Sequence, residues 1–342
     1  MQAGKLIERV HPEQHYRTVF NQQTGFFVRK EDVGYPEPTW AADGPELIDL
    51  SITNYCEKGC RFCYRETLRD DALFMSLEDV VEVVRQASEC GTMQIALGGG
   101  NPNQHPRFVD VLRIIREHEI VPSYTTNGDG LTDEILRATA EYCGAMAVSV
   151  YPPYDEARYK ALLAKVKEYG ITVNLHAIIK SDTLDMWMRW LKEPPSFFKY
   201  VNAIIFLNYK PVRGDDLAAA KEKVQSFFET VNKCRSVKIG FDSCSISGIV
   251  KLMDTPSYLI ESCEAARFSA FVSEDMKMYP CSFMAGLGYC GDLRKNTLLE
   301  IWKQNEYFER FRENEVPARC AGCKHYVDCK GGCHLFEGIN FC

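Results

Sequence analysis

Residues 56–63 read Cys-Glu-Lys-Gly-Cys-Arg-Phe-Cys and follow an apolar run at residues 47–52. Three cysteines at this spacing can bind three irons of a four-iron cluster, because thiolates are soft ligands that suit iron–sulfur centres. Three thiolates leave the fourth iron open to a small molecule. The stretch therefore predicts chemistry at a cluster, beyond electron transfer. A zinc knuckle is the alternative, although zinc usually takes four N or S ligands and no fourth Cys or His lies close by.

The CxxxCxxC spacing, with Phe62 before the last cysteine, resembles the signature of the radical S-adenosylmethionine (SAM) superfamily. The resemblance implies that Cys56, Cys60 and Cys63 hold a [4Fe–4S] cluster whose open iron binds the amino and carboxylate groups of SAM. It further implies that the reduced cluster cleaves SAM to methionine and a 5′-deoxyadenosyl radical, which abstracts a hydrogen atom from the substrate. A reductant such as flavodoxin or ferredoxin would supply the electron.

Composition narrows the class of protein. The chain has 342 residues, 46% of them hydrophobic, which is enough for one large core or two domains. Its net charge of −7 does not fit a nucleic-acid binder. No apolar run approaches the roughly 20 residues of a membrane span, and the first residues lack a secretory h-region, so we expect a cytoplasmic protein. Fifteen cysteines there are better explained as metal ligands than as disulfides.

Strand-like and helical patterns alternate between residues 47 and 241, which predicts a parallel sheet. Six such units are too few for a closed eight-stranded barrel. We therefore predict an α/β fold, an open partial (β/α)6 TIM-like barrel over 47–241. A hairpin and extended lead-in over 1–46 precedes it, and a small cysteine-rich iron–sulfur domain over 242–342 follows. The expected strands are 47–52, 93–97, 121–125, 145–150, 172–178 and 201–207, and the expected helices are 77–89, 106–118, 131–142, 155–169, 182–193 and 214–233.

Sites in such barrels lie at the C-terminal ends of the strands. Residues 98–101 read Gly-Gly-Gly-Asn after the second strand, and glycines let a backbone approach a ligand closely. The related family stretch, Gly-Gly-Glu-Pro, contacts the amino group of SAM; Asn101 replaces the Glu and can accept a hydrogen bond without carrying charge. An ordinary glycine-rich turn is the alternative. By resemblance or by position after a strand, the candidate SAM-binding residues are Gly98, Gly99, Gly100, Asn101, Thr126, Asn127, Ser149 and Asn208.

Candidates for a catalytic base or hydrogen donor also lie near strand ends. His176 shares a strand face with Asn174 by alternation, although a lone strand histidine is more often a packed core group. Residues 208–214, after the sixth strand, suit adenosine or substrate contact, or form a solvated exit loop. The candidates are Tyr151, His176, Tyr209 and Asp242.

A second cysteine field occupies the last third of the chain and resembles the SPASM extension of radical SAM enzymes. It reads Cys-x2-Cys-x5-Cys-x3-Cys from residue 320, preceded by a separate pair and followed by a final cysteine. One departure is Met276, where a Gly usually stands in a hairpin at 274–277. The resemblance implies two auxiliary [4Fe–4S] clusters; paired zinc ribbons are the alternative. The outer cluster would use Cys320, Cys323, Cys329 and Cys342, and the inner one Cys263, Cys281 and Cys333, with Cys290, Cys244 or an open iron in fourth place.

SPASM-bearing radical SAM proteins mostly modify peptides or proteins, so the resemblance predicts a maturase that crosslinks or oxidises a side chain. Residues 1–46 leave little room for a leader-binding domain, which a separate partner chain could supply. Ser282 stands where sulfatase-maturing relatives carry an Asp base, which disfavours formylglycine formation. Two alternatives stay open: a radical SAM oxidoreductase acting on a small molecule such as a sugar alcohol, and a non-enzymatic iron–sulfur scaffold or electron carrier.

Overall fold

The structure is a computed structural model that describes residues 6–65, 67, 69–212, 218–313 and 316–342. Its strands follow the apolar runs of the sequence. In chain order they are β1 (Leu6–His11), β2 (Tyr16–Asn21), β3 (Phe27–Glu31), β4 (Leu47–Thr53), β5 (Gln94–Gly99), β6 (Val121–Thr126), β7 (Ala145–Ser149), β8 (Val173–Ile179), β9 (Ala203–Asn208), β10 (Lys238–Phe241), β11 (Ser269–Val272), β12 (Lys277–Tyr279) and β13 (Gly291–Asp292).

Five of the ten helices in the described part of the chain, the first, third, fourth, eighth and ninth, begin at a residue whose side chain accepts from a first-turn backbone N–H group. The Ser76 hydroxyl accepts from the Asp79 amide at the start of the first helix, and Thr297 forms a reciprocal capping box with Glu300 at the start of the eighth. In chain order the helices are α1 (Leu77–Glu89), α2 (Phe108–Glu117), α3 (Asp133–Tyr142), α4 (Glu156–Glu168), α5 (Leu184–Lys192), α6 (Lys221–Lys233), α7 (Ile246–Leu252), α8 (Leu298–Gln304), α9 (Glu306–Arg312) and α10 (Tyr326–Cys329).

The chain divides into two compact units, and the first takes described residues from 1–59, 65–146 and 265–314. Parallel strands β4, β5 and β6 lie side by side, and α1, α2 and α3 follow them in turn. On its other edge β4 pairs in parallel with β11, and the antiparallel strands β12 and β13 continue from there. A separate three-stranded antiparallel sheet holds β1, β2 and β3. The C-terminal end of β4 is where residues 54–59 begin.

The second unit takes described residues from 60–64, 147–264 and 315–342. Strands β8, β9 and β10 pair in parallel, and α4, α5 and α6 alternate with them along the chain. Aromatic rings fill its core: Trp187 and Phe206 pack edge to face, as do Phe206 and Phe227. Strands β8 and β9 therefore pack against a core of aromatic rings.

The predicted α/β class, with parallel strands alternating with helices, is confirmed. The six expected strands and first five helices lie within two residues of their predicted ends. The sixth helix is wrong at its start: it begins at Lys221, because Ala220 still has an extended backbone, and residues 214–217 lie outside the described part of the chain. The hairpins near residues 18–29 and 274–277 are present. Strands β1 and β10 and the pairing of β11 with β4 were not predicted. None of the described helices is long and apolar enough to cross a bilayer.

Candidate functional site

The glycine stretch at the end of β5 is held against the start of the cysteine loop. The Gly100 amide donates to the Thr53 carbonyl at 2.6 Å, and the Asn101 amide donates to the Tyr55 carbonyl at 2.7 Å. A Cβ atom on Gly100 would overlap that Tyr55 carbonyl. Residue 100 must therefore be a glycine because the end of β5 packs directly against Tyr55, the residue before Cys56.

The other two glycines differ from each other. Gly99 adopts a φ of 103°, a conformation that favours glycine, and a Cβ there would overlap the Ser51 hydroxyl and the Thr53 carbonyl. Gly98 has no heavy atom within 4 Å of the position of a Cβ. The sequence predicts a close approach of these glycines to a ligand, with an ordinary glycine-rich turn as the alternative. At Gly99 and Gly100 the atoms that exclude a side chain belong to the protein itself. Only Gly98 of these three glycines has open space where a Cβ would lie.

Asn101, which replaces the Glu of the resembling motif, is buried and bonded within the protein. Its side-chain oxygen accepts from the Thr126 hydroxyl at 3.0 Å and from the Asn127 amide at 3.1 Å. Its side-chain nitrogen donates to the Asp129 carbonyl at 3.2 Å. These contacts within the protein make Asn101 a residue that positions the turn after β6.

The turn after β6 reaches the first cysteine. The side-chain nitrogen of Asn127 lies 3.7 Å from the Cys56 sulfur, and its oxygen accepts from the Asp129 amide at 2.8 Å. The Thr126 hydroxyl also contacts the Asn103 side-chain oxygen at 2.6 Å. Of the two residues predicted here, Asn127 is the one whose side chain contacts a predicted metal ligand.

Cys60 and Cys63 belong to the second unit, where Tyr151 is their neighbour. The Cys63 amide donates to the Cys60 carbonyl at 3.0 Å, which forms a tight turn. The Phe62 ring meets the Tyr151 ring edge to face, with 4.8 Å between centroids. Burial raises the pKa of Tyr151, a hydrogen bond with Ser149 opposes the rise, and the charges of Cys60 and Cys63 add to it. Tyr151 therefore keeps its proton at neutral pH and suits a donor better than a base.

Lys180, which the sequence analysis missed, lies directly after β8 and is 1% exposed. Its ammonium group is 4.9 Å from the centroid of the Phe62 ring and pairs with Asp182. A buried ammonium beside the cysteine loop can bind a carboxylate, and the attraction is strong where water is excluded. The sequence feature that could have identified Lys180 is its position directly after an apolar strand.

His176 lies on β8 and is neutral at physiological pH. Burial lowers its pKa to about 4, with the charge of Asp242 acting in the opposite direction. Its backbone carbonyl accepts from the Val150 amide at 2.9 Å. A neutral imidazole can exchange hydrogen bonds with a substrate, but it is a weak base at this pKa.

Asp242 is the centre of a buried polar group. It accepts from the Lys210 ammonium and the Ser245 hydroxyl, both at 2.8 Å, and from the Asn208 amide at 3.1 Å. Burial alone would lower the pKa of Lys210, but Asp242 and Cys244 outweigh it and the pKa is raised. The Asn208 side chain donates to the Cys244 carbonyl at 3.2 Å. Asp242 is thus an ion-pair partner, and Tyr209 lines a neighbouring cavity of about 70 Å³, room for a few waters.

Four of the C-terminal cysteines lie near one another in the second unit. Burial raises the pKa of Cys329, and the charges of Cys342, Cys320 and Cys323 raise it further. The Cys323 amide donates to the Cys320 carbonyl at 3.0 Å, and Cys329 ends α10. These are the four residues predicted to bind the outer auxiliary cluster, and their grouping fits that set.

The predicted inner ligands have different neighbours. In the second unit, which also contains Cys263, the Cys244 thiol donates a hydrogen bond to Cys333 and lowers the pKa of Cys333. In the first unit, Cys281 and Cys290 pack against the same apolar cluster, whose buried members are Phe271, Tyr279 and Met284. Of the two candidates for the fourth ligand, Cys244 contacts a predicted inner ligand, and Cys290 packs against the same apolar cluster as another.

No group of three or more His, Cys, Asp or Glu side chains among the described residues is arranged around a single metal ion. The ligands of a four-iron cluster need no such convergence, since each thiolate binds a different iron. The soft thiolate sets described above are the donor type that such clusters take. The chemistry of the donors therefore fits iron–sulfur clusters.

Comparisons with known proteins match both cysteine regions. The family described as "Radical SAM superfamily" matches residues 50–193, and the SPASM family, described as "Iron-sulfur cluster-binding domain", matches residues 263–324. The mycofactocin maturase MftC of Mycolicibacterium smegmatis is 20% identical over 326 residues, 87% of this chain and 81% of that protein. A GTP 3′,8-cyclase of Yersinia pestis is 27% identical over 175 residues, 45% of this chain and only 53% of the cyclase.

Among solved structures, Streptococcus suis SuiB bound to its precursor peptide SuiA superimposes with a TM-score of 0.76. The superposition covers 98% of this chain and 96% of SuiB at 14% sequence identity. At 14% sequence identity this similarity supports a shared fold, and it does so over nearly the whole chain.

Proposed function

We propose, from the premise that this chain is a radical SAM enzyme with a C-terminal SPASM domain, that it modifies a side chain of a peptide or protein. The main support for the proposal is the share of the chain that is similar to peptide-modifying proteins. Similarity to a protein named as a maturase extends over 87% of the chain, and the fold of a protein solved with its precursor peptide extends over 98%. Similarity to the nucleotide cyclase covers 45% of the chain.

The SAM-binding cluster is assigned to Cys56, Cys60 and Cys63. When bound, this cluster supplies the electron that cleaves SAM. Around it the chain offers open space at Gly98 and an amide donor at Asn127. These contacts support a site that seats the cluster and leaves space beside it for a ligand.

The SAM carboxylate is assigned to the buried Lys180 ammonium. Ser149 and Tyr151, which are hydrogen-bonded to each other, lie near the same part of the cysteine loop and can orient a ligand hydroxyl. Tyr151 keeps its proton at neutral pH, so it can also donate a hydrogen to a substrate. The reaction class that follows is hydrogen abstraction from a bound side chain, giving a crosslink or an oxidation.

The auxiliary clusters are assigned to the C-terminal cysteines. Cys320, Cys323, Cys329 and Cys342 hold the outer one, which the grouping of their thiols supports. Cys263, Cys281 and Cys333 hold the inner one. Clusters here can accept an electron from a product radical or pass electrons inward, and a small reductant such as flavodoxin or ferredoxin would supply them.

The test is anaerobic reconstitution with iron, sulfide, SAM and a reductant, followed by incubation with short peptides encoded beside this gene. We expect about twelve irons per chain, the sum for three four-iron clusters, and a mass change in one peptide that needs SAM. The matched control is the Cys56→Ala/Cys60→Ala/Cys63→Ala variant, which should keep about eight irons and modify nothing.

Three outcomes contradict the proposal. About four irons in the wild type would remove the auxiliary pair, and SAM cleavage coupled to oxidation of a sugar alcohol, with every peptide unchanged, would favour the small-molecule alternative. Absence of SAM cleavage in a fully iron-loaded protein would leave the scaffold or electron-carrier reading.

A further inference from the structure

The contact between Asn127 and Cys56 gives the SAM-binding cluster a hydrogen-bond donor from the protein. The Asn127 side-chain nitrogen is 3.7 Å from the Cys56 sulfur, a separation that suits an N–H···S hydrogen bond. Asn127 itself is 8% exposed, so little water competes for the donor. Cys56 is one of the three thiolates assigned to the cluster.

The orientation of Asn127 is fixed on two sides. Its backbone amide donates to the side-chain oxygen of buried Asn101 at 3.1 Å. Its own side-chain oxygen accepts from the Asp129 amide at 2.8 Å, which leaves the side-chain nitrogen turned toward the sulfur. Asn101 in turn is held through its side-chain nitrogen, which donates to the Asp129 carbonyl at 3.2 Å.

Hydrogen bonds to the sulfur ligands of an iron–sulfur cluster are among the determinants of its reduction potential. Reduction adds one negative charge, part of which lies on the thiolate sulfurs. A donor to sulfur stabilises that charge more in the reduced than in the oxidised state, and so makes reduction easier. We infer that Asn127 raises the reduction potential of the SAM-binding cluster through its amide contact with Cys56, and that Asn101 is the residue that positions it.

The residue at position 101 fits this role. In place of a Glu, this chain has an amide at residue 101, whose oxygen accepts from the turn after β6. A carboxylate there would place a negative charge near the cluster and could not donate to the Asp129 carbonyl. The neutral Asn101 holds the same turn without adding charge.

The test is a redox titration of the reconstituted enzyme followed by electron paramagnetic resonance. The signal that changes when SAM is added identifies the relevant cluster and separates it from the auxiliary ones. Asn127→Leu removes the donor at nearly constant volume. We expect its one-electron reduction equilibrium to fall about tenfold, which corresponds to about 59 mV.

The matched control is Asn103→Leu. Asn103 is buried to a similar degree, donates to the Asp129 carbonyl at 2.7 Å and contacts Thr126. Its substitution removes an amide from the same network but none that contacts Cys56, so the potential should stay within about twofold of wild type. Asn127→Ser, whose side chain is too short to reach the sulfur, repeats the test if the leucine variant does not fold.

The inference rests on the proposed function, but the two fail differently. A wild type with no SAM-sensitive signal contradicts the assignment of the cluster, whatever the variants do. A wild type with such a signal, and Asn127 variants that load iron normally and titrate at the wild-type potential, overturns the inference alone. An equal shift in Asn103→Leu also overturns it, because the effect would then belong to the turn as a whole.

Discussion

Gly100→Ala is the substitution that most sharply tests the role of the glycine stretch. A Cβ at this position would overlap the Tyr55 carbonyl, so either β5 or the cysteine loop must move. The movement breaks two short hydrogen bonds, from the Gly100 amide to Thr53 at 2.6 Å and from the Asn101 amide to Tyr55 at 2.7 Å. The substitution therefore displaces Tyr55 relative to the end of β5, and Tyr55 is the residue immediately before Cys56.

The expected loss follows from these two bonds. Each contributes about 1 kcal/mol net, and leaving a buried carbonyl without a donor costs about 1–3 kcal/mol more. The Thr53 residue is buried, so at least one such penalty applies. We expect the free energy of unfolding to fall by about 3–5 kcal/mol, roughly 150- to 5000-fold in the folding equilibrium.

The assay measures the urea midpoint and the iron content of the reconstituted protein under anaerobic conditions. The matched control is Gly98→Ala, whose Cβ meets no atom within 4 Å and whose stability and iron content should therefore match the wild type. Because Gly98 is the position with open space, that variant should bind SAM more weakly. Equal midpoints and equal iron for the two alanine variants would refute the reasoning.

Three further predictions concern stability. Lys210→Met and Asp242→Asn should each cost about 3–5 kcal/mol, since each leaves one partner of a buried ion pair alone, while the double variant recovers much of the loss; additive urea midpoints would contradict this. His176 has a folded-state pKa of about 4 against 6.5 when unfolded, so its neutral form contributes stability that is complete above pH 6.5 and is lost as the pH falls toward 4, by up to about 3 kcal/mol. His176→Gln should flatten that part of the pH profile, and an unchanged profile would count against the buried, neutral histidine. Met276 has a φ of 67° and is 2% exposed, so Met276→Gly should relieve about 1 kcal/mol of strain but lose about 1.5–3 kcal/mol of burial; a raised unfolding temperature would contradict this balance.

Local sequence patterns were sufficient to locate the strands and most of the helices around the candidate site. The six predicted parallel strands are apolar runs, and α1, α3 and α4 begin at side-chain caps, so these elements could be placed within two residues. The start of α6, which has no side-chain cap, could not. The pairing of β11 with β4 could not be read in this way, because the partner of a strand depends on contacts between segments far apart in the chain.

The side-chain contacts of the site were less accessible. A glycine indicates that something comes close, but the sequence does not say whether that is a ligand, as we expected at residues 98–100, or the chain itself, as at Gly99 and Gly100. The sequence is equally ambiguous about the partners of Asn101 and Lys180. An amide or an ammonium group can serve a ligand or the protein, and only the neighbours on the adjacent strands decide which.

Met276 shows a case where a motif was changed but its geometry was kept. The turn between β11 and β12 still has a positive φ at this residue, although a side chain replaces the usual glycine. The buried methionine side chain offsets the cost of that conformation. Departures from a motif are therefore better judged by backbone geometry than by residue identity.

The central claim is that Cys56, Cys60 and Cys63 hold a cluster that cleaves SAM. The most direct measurement is the yield of 5′-deoxyadenosine when the reduced, iron-loaded protein is mixed with SAM. We predict its formation by the wild type, and none by the variant in which these three cysteines are alanine while the auxiliary clusters, about eight irons, are retained. No 5′-deoxyadenosine from a fully loaded wild type, or equal amounts from the variant, would contradict the account.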